Sequence, residues 1–157
     1  MQFEQFKLVD RIVELSLAEK TIRAEGVVPL DSTIIDNHFP GHPLMPGVLL
    51  IESMAQTSGW LLMALLEFER MPLLAQVKEA RLRNFVPPGK LLEIEAKLVH
   101  DGSGFSLTAA KVKSEGKPVC DATLMFRQMP FPTPELRAGL MDAARRMGVP
   151  MESSLDV

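Results

Sequence analysis

The sequence contains little cysteine and no marked excess of either charge, and both shortages narrow the class of protein. Its one cysteine, Cys120, cannot form a disulfide within the chain of 157 residues. We therefore expect a reducing environment, and the apolar strand pattern around Cys120 predicts a core residue rather than a nucleophile. The net charge of -3 argues against a nucleic-acid-binding protein, because phosphate neutralisation requires an excess of lysine and arginine.

Several functional motifs are also missing. The sequence has neither a glycine-rich phosphate loop between a strand and a helix nor a nucleophile elbow, which argues against phosphoryl transfer and serine hydrolysis. Its first ten residues lack the basic and then apolar pattern of a signal peptide, so a cytoplasmic protein is expected. The longest apolar run, residues 48–68, includes Glu52, Gln56 and other polar groups, and we expect no membrane span.

The hydrophobic pattern predicts one α+β domain. A chain with 46% hydrophobic and 24% charged residues suits a single globular core. Residues 48–68 predict a helix that is apolar on nearly every side and must be wrapped by other elements. Residues 21–28 predict a strand, whereas residues 6–17 fit either a strand or a helix. Later runs with strand-like patterning predict an antiparallel meander, giving a curved sheet around the central helix: 75–85, 91–100, 105–113 and 118–127.

The composition changes after residue 129. Thr133 is suited to cap a predicted amphipathic helix that ends at Gly148, and residues 151–157 are expected to fray. We therefore divide the chain into a main domain, residues 1–129, and a C-terminal helical extension, residues 130–157.

The segment from His38 to Glu52 carries the residues best suited to chemistry; it reads HFPGHPLMPGVLLIE. Three prolines and two glycines restrict the loop, so the imidazole of His38 can be held in one place. Glu52 follows inside an apolar helix, where an unpaired carboxylate is costly unless it is protonated, hydrogen-bonded or matched with a charge. Taken singly, His38 fits a structural role, and Glu52 fits a polar anchor for the sheet or a dimer contact. Taken together, they form a candidate acid and base pair.

Two further groups extend this candidate site. The helix begins near Gly47, whose backbone N–H can hold a carbonyl oxygen as that oxygen gains negative charge. Gln56, one turn beyond Glu52, can donate its amide to that carboxyl and orient it, or pair instead with sheet backbone. We reject a metal site made of His38, His42 and Glu52, because the prolines and glycine around His42 prevent the helix that would align the two histidines.

The segment from His38 to Gln56 closely resembles the signature of the 3-hydroxyacyl-[acyl-carrier-protein] dehydratases of bacterial type II fatty acid synthesis, the FabZ and FabA-like enzymes. The resemblance extends to LVDR at 8–11 and RLRNFVPPG at 81–89, and it covers residues 6–127. It implies the hot-dog fold. It also implies that an (R)-3-hydroxyacyl chain, carried on acyl carrier protein, loses water to give the trans-2-enoyl thioester, without a metal or an organic cofactor.

The resemblance also implies roles for single residues. His38 matches the family's catalytic histidine, Glu52 its catalytic carboxylate, and Gly47 the glycine whose N–H binds the thioester oxygen. A homodimer is implied, in which each site takes its histidine from one protomer and its carboxylate from the other; trimers of dimers are common in the family. Glutamate rather than aspartate at position 52 favours plain dehydration over dehydration coupled to isomerisation.

The resemblance places the acyl chain in a tunnel beside the central helix, where Trp60 and Phe85 either line the tunnel or belong to ordinary core. Acyl carrier protein is acidic and calls for a basic surface near the entrance. Candidates for it, which would otherwise form a solvated strand face, are Lys78, Arg81, Arg83 and Lys90. The tail after residue 129 exceeds the length expected of the family, and its arginines either meet a partner or solvate the helix: Arg137, Arg145 and Arg146.

Two rival functions remain open at this point. A non-catalytic protein of the same fold would bind an acyl carrier or an acyl chain without turnover, and a hot-dog thioesterase would cleave the thioester instead of forming a double bond.

Overall fold

Six antiparallel strands form one sheet in a computed structural model that describes residues 1–151. The strands are β1 Arg11–Ser16, β2 Thr21–Val27, β3 Met71–Leu82, β4 Leu91–Gly102, β5 Phe105–Ser114 and β6 Lys117–Met129. Their order across the sheet is β1-β2-β4-β5-β6-β3. The helices are α1 Thr33–Asn37, α2 Gly47–Leu65 and α3 Pro134–Met147.

Helix α2 is the centre of the core, as its apolar pattern predicts. Leu50, Met54 and Leu61 are at most 2% exposed, and they join one hydrophobic cluster with sheet residues such as Ile94 and Leu124. By length and composition α2 is the one helix within residues 1–151 that could cross a membrane, but 56% of its apolar window is buried inside the fold. Its apolar character is therefore accounted for by the sheet that wraps it.

The polar residues inside α2 are satisfied locally. Ser53 Oγ donates to the Leu50 carbonyl at 2.7 Å, and Thr57 Oγ1 donates to the Ser53 carbonyl at 2.8 Å. Ser58 shares a hydrogen bond of 2.8 Å with the hydroxyl of Thr108 on β5. A buried hydroxyl with such a partner avoids most of the cost of desolvation, so these residues are compatible with a core helix.

The predicted meander is correct for three strands and wrong for β3. Tight turns with positive φ at both central residues, Ser103-Gly104 and Glu115-Gly116, join β4 to β5 and β5 to β6. Such turns match the twist of neighbouring strands. The eight residues 83–90 connect β3 to β4 without such a turn, and β3 pairs with β6 at the far edge of the sheet. The alternation expected of a strand with one wet face is clear in β4 and β6, but most of β3 is exposed.

The chain before the loop differs in part from the prediction. Of residues 6–17, which fitted a strand or a helix, Arg11–Ser16 form β1, so the strand interpretation is correct for that part. Helix α1 was not predicted. It is one short turn capped by Ser32, whose side chain accepts a hydrogen bond from the N–H of Ile34, and it leads directly into His38.

The C-terminal helix agrees with its sequence signals. Thr133 Oγ1 accepts a hydrogen bond from the N–H of Leu136, and Gly148 ends the helix with φ of 92°, a conformation that favours glycine. Ala144, Met147 and Val149 are buried and belong to the main hydrophobic cluster. Of the end predicted to fray, residues 152–157 lie outside the described residues.

Cys120 is a core residue, as predicted. It lies on β6 and is 1% exposed. Burial raises the pKa of its thiol to about 11, which keeps the thiol protonated near neutral pH.

Candidate active site

The loop that carries His38 is closed by backbone hydrogen bonds. The N–H groups of Phe39 and His42 each donate to the other residue's carbonyl, at 3.0 and 2.9 Å, and Leu44 N–H donates to the His38 carbonyl at 2.7 Å. Gly41 takes φ of 76° inside this turn, which suits glycine. Met45 N–H donates to the Val86 carbonyl at 2.8 Å and ties the loop to the chain beyond β3.

The imidazole of His38 is half-buried and has a defined tautomer. Its Nδ1 lies 3.0 Å from the Leu44 carbonyl oxygen, and because a carbonyl only accepts, Nδ1 carries the proton in this hydrogen bond. The neutral ring then has its lone pair on Nε2. The ring also stacks on Phe39, with the centroids 4.3 Å apart. The free nitrogen of His38 is therefore Nε2, the atom that could accept a proton.

Gly47 begins α2, following Pro46 as N-cap. The first N–H groups of a helix have no acceptor within the helix, and no side chain caps this end within residues 1–151. A Cβ at position 47 would collide with the side chain of Leu82 on β3. Glycine thus allows the side chain of Leu82 to approach closely and leaves a polarised N–H beside the His38 loop; its use as an oxyanion site stays a prediction.

Glu52 is half-buried on α2 and is held by Gln56. The Gln56 amide nitrogen donates to Glu52 Oε1 at 3.2 Å and to the Phe6 carbonyl at 2.9 Å, and its oxygen accepts from Leu8 N–H at 3.1 Å. The structure therefore shows the predicted hydrogen bond from Gln56 to the carboxyl, and the rest of the Gln56 amide pairs with backbone. That backbone belongs to the N-terminal segment rather than to the sheet.

His38 and Glu52 do not meet within one chain. His38 and Gly47 line one cavity of about 430 Å³, whereas Glu52 and Gln56 line another of about 370 Å³. Five residues on an α-helix separate the directions of two side chains by about 140°, so positions 47 and 52 face different sides of α2.

The two aromatic candidates border different cavities. Trp60 is 9% exposed and contributes both to the core and to the wall of the Glu52 cavity. Phe85 is 86% exposed and lines the His38 cavity, so the alternative that made it ordinary core is wrong.

The four basic residues proposed for a carrier-binding surface lie in different places. Arg83 is the one that lines the His38 cavity, and its ion pair with Asp121 raises the pKa of its guanidinium. Lys90 pairs with Glu115 at 2.7 Å, and this lysine lowers the pKa of Glu115. Arg81 lines a third cavity, while Lys78 is exposed on β3. The predicted basic patch is therefore reduced, at the His38 cavity, to Arg83.

That third cavity, of about 600 Å³, is the largest of the three, but it lies on the solvent-facing side of the sheet. Its lining has four acidic and four basic side chains, and it contains neither His38 nor Glu52. We assign it no part in the site.

The structure adds three features that the sequence reasoning missed. Leu82 covers the start of α2, the backbone of Phe6 and Leu8 binds Gln56, and Leu140 of α3 lines the Glu52 cavity. Each contact joins residues far apart in the chain, and no local pattern could have indicated it.

Two of the C-terminal arginines make contacts within the chain. Arg137 Nε donates to the Phe68 carbonyl at 2.7 Å, and Arg145 pairs with Asp142 on its own helix.

Solved structures show what class of protein the fold defines. A hypothetical thioesterase with coenzyme A from Streptococcus pneumoniae has a TM-score of 0.63 at 15% identity, covering 78% of this chain and 88% of that chain. The dehydratase heterocomplex ApeI:P from Xenorhabdus doucetiae has a TM-score of 0.63 at 20% identity, covering 87% and 90%. A curved antiparallel sheet wrapped around a long helix, shared with these neighbours, is the hot-dog fold.

The family follows from sequence. The family described as FabA-like domain matches residues 2–123. Two relatives named 3-hydroxyacyl-[acyl-carrier-protein] dehydratase FabZ are 36% identical over 124 residues, in Caldicellulosiruptor saccharolyticus, and 37% identical over 120 residues, in Ligilactobacillus salivarius. These matches cover 77% and 76% of this chain, and 86% and 85% of the relatives. The chain belongs to the FabA-like family, and α3 lies beyond the residues that the family description matches.

Proposed function

We propose that this protein is a dehydratase that converts (R)-3-hydroxyacyl-[acyl-carrier-protein] to the trans-2-enoyl thioester in fatty acid biosynthesis. The observation that carries the proposal is the identity of 36–37% with dehydratases of that name, over a region that contains the whole His38 loop and α2. The oriented imidazole, the free helix start and the held carboxyl supply groups suited to this chemistry.

In the proposed mechanism, His38 Nε2 takes the proton from C2, and the electrons of that bond form the double bond to C3. The N–H of Gly47 stabilises negative charge on the thioester oxygen. Glu52 donates a proton to the C3 hydroxyl, which leaves as water when the C3–O bond breaks. A general acid or base contributes about 10²–10⁴-fold to the rate, and one oxyanion donor about 10²–10³-fold. The reaction needs no redox step, and we assign it no metal or organic cofactor.

We further propose that the site is shared between two protomers, with His38 of one facing Glu52 of the partner subunit. The separation of the two residues into different cavities supports this arrangement. So does β3, a strand of 12 residues whose outer edge has no partner in the described chain and which exposes Leu73, Val77 and Leu82. Long apolar edge strands are sites of pairing with another chain. A trimer of dimers and a cytoplasmic location stay predictions.

The activity can be tested by mass spectrometry of purified protein with 3-hydroxyacyl groups on acyl carrier protein. We expect the carrier to lose the mass of water while keeping its acyl group. Loss of the whole acyl group would identify a thioesterase. This alternative is worth testing because the hypothetical thioesterase from S. pneumoniae shares the fold. Binding without any mass change would favour the non-catalytic alternative.

Arg83 should contribute to binding of the acidic carrier. We expect Arg83→Gln to raise KM for the carrier-bound substrate by up to about fivefold with little change in kcat, since exposed ion pairs contribute about 0.2–1 kcal/mol. Arg81→Gln is the matched control, because Arg81 lies two residues earlier, on β3, and lines the third cavity instead. Equal KM values for Arg83→Gln and the wild type at low salt would show that Arg83 does not contact the carrier.

A further inference from the structure

The cavity that contains Glu52 has a polar end and an apolar remainder. Glu52 and Gln56 supply the polar groups, and the rest of the wall includes Trp60, Met63 and Phe126. Leu140 also lines this cavity, although it belongs to α3 and is 88 residues beyond Glu52 in sequence. The C-terminal helix therefore contributes directly to the space beside the proposed acid.

The cavity follows one face of α2. Glu52, Gln56, Gly59 and Met63 are spaced by four, three and four residues, so they lie in a row about 16 Å long. At the middle of the row Gly59 leaves room, because a Cβ built there would meet only a Pro72 side-chain atom, 4.0 Å away. This row suits an extended alkyl chain whose polar head is at Glu52.

Helix α3 is anchored on both sides of Leu140. One turn before Leu140, the Arg137 guanidinium donates to the carbonyl of Phe68, just beyond the C-terminal end of α2. After Leu140, Ala144 and Met147 are buried in the main core. Leu140 thus lines the cavity one turn after the Arg137 contact with Phe68, on a helix whose withdrawal would break these contacts.

We infer that Leu140 forms the far wall of the acyl cavity and limits the length of acyl chain that the protein accepts. The inference rests on the proposed function, because it takes the chain to be the tail of the 3-hydroxyacyl substrate. A chain that runs from Glu52 along α2 toward Met63 meets Leu140, and a longer chain must displace an anchored helix. The helix that supplies this wall, α3, lies beyond residues 2–123, which the family description matches.

The test uses a graded series of 3-hydroxyacyl chain lengths on acyl carrier protein. We expect Leu140→Ala to raise kcat/KM for the longest chains by about tenfold or more, because one methylene in an apolar pocket changes discrimination by about 10–200-fold. Turnover of short chains should change much less than turnover of the longest chains. Leu140→Trp should shift the profile toward shorter chains. Leu136→Ala is the matched control, since Leu136 is one turn away on the same helix, 39% exposed and outside the cavity lining.

A binding measurement separates this inference from the proposed function. Saturated acyl chains on the same carrier have no hydroxyl to lose, so calorimetry reads their affinity without turnover. If Leu140→Ala binds longer acyl chains than the wild type does, the inference is supported, whether or not the wild type dehydrates its substrate. Absence of dehydration in the wild type would overturn only the proposed function. If Leu140→Ala and the wild type have the same limit of acyl chain length, both in turnover and in binding, the inference is overturned. If Leu140→Trp does not fold, Leu140→Ala decides alone.

Discussion

Replacing His38 by alanine should lower the rate of enoyl thioester formation by about 10²–10⁴-fold, the usual contribution of a general base. The reason is the orientation of the ring: Nδ1 donates to the Leu44 carbonyl and leaves the lone pair on Nε2, the atom that we propose takes the C2 proton. The loop is held mainly by backbone hydrogen bonds, so it should keep its shape without the ring. Initial rates with a 3-hydroxyacyl carrier substrate measure the effect.

Glu52→Gln should have an effect of similar size for a different reason. The amide has the shape of the carboxyl and can keep the contact with Gln56, but it cannot deliver a proton to the leaving hydroxyl. The loss should therefore fall mainly on kcat, with KM for the carrier substrate little changed.

Both variants have matched controls. His42→Ala alters an exposed imidazole in the same loop, and Glu69→Gln alters an exposed carboxyl four residues after the end of α2. Both controls should keep wild-type turnover, and thermal melting should show that all four variants are folded. Turnover near the wild-type level in His38→Ala or Glu52→Gln would contradict the role assigned to that residue.

Mixing the two inactive variants should restore activity to about a quarter of the wild-type value after free exchange of subunits. About half of the dimers are then hybrids, and each hybrid has one site with an intact His38 and an intact Glu52 of the partner subunit. The physical basis is the separation of these residues into two cavities of one chain, which supports a site completed by the partner subunit.

The mixing experiment needs proof of exchange. Two tags of different mass on the two variants allow hybrid dimers to be counted by native mass spectrometry. Each variant incubated alone under the same conditions should stay inactive. Hybrid dimers without any recovered turnover would rule out a site shared between protomers.

Much of the fold could be predicted because it is written in local patterns. In β4, Leu92, Ile94 and Ala96 alternate with charged residues, and the structure buries all three. The apolar surface of α2 required a wrapping sheet, and Thr133 and Gly148 marked the ends of α3. Such signals depend on neighbours within a few residues, which the sequence displays directly.

The errors arose where distant segments compete. Strand β3 was expected inside a meander, but its pairing with β6 depends on how the connection of residues 83–90 crosses to the start of β4. Phe85 was a candidate for the core and is largely exposed, since it lies in that connection. The four basic candidates could not be ranked before Asp121 and Glu115 were seen beside two of them.

By itself, the sequence determined the class of fold and the family, and it indicated the candidate acid and base, because these depend on periodicity and on an uninterrupted motif. Only the tertiary structure decided that His38 and Glu52 face separate cavities, that Gln56 holds the carboxyl against the N-terminal segment, and that Leu140 of α3 borders the Glu52 cavity. These are matters of direction and long-range contact. The direction depends on the rotation of α2 between residues 47 and 52, and the contacts depend on where the chain ends pack against it.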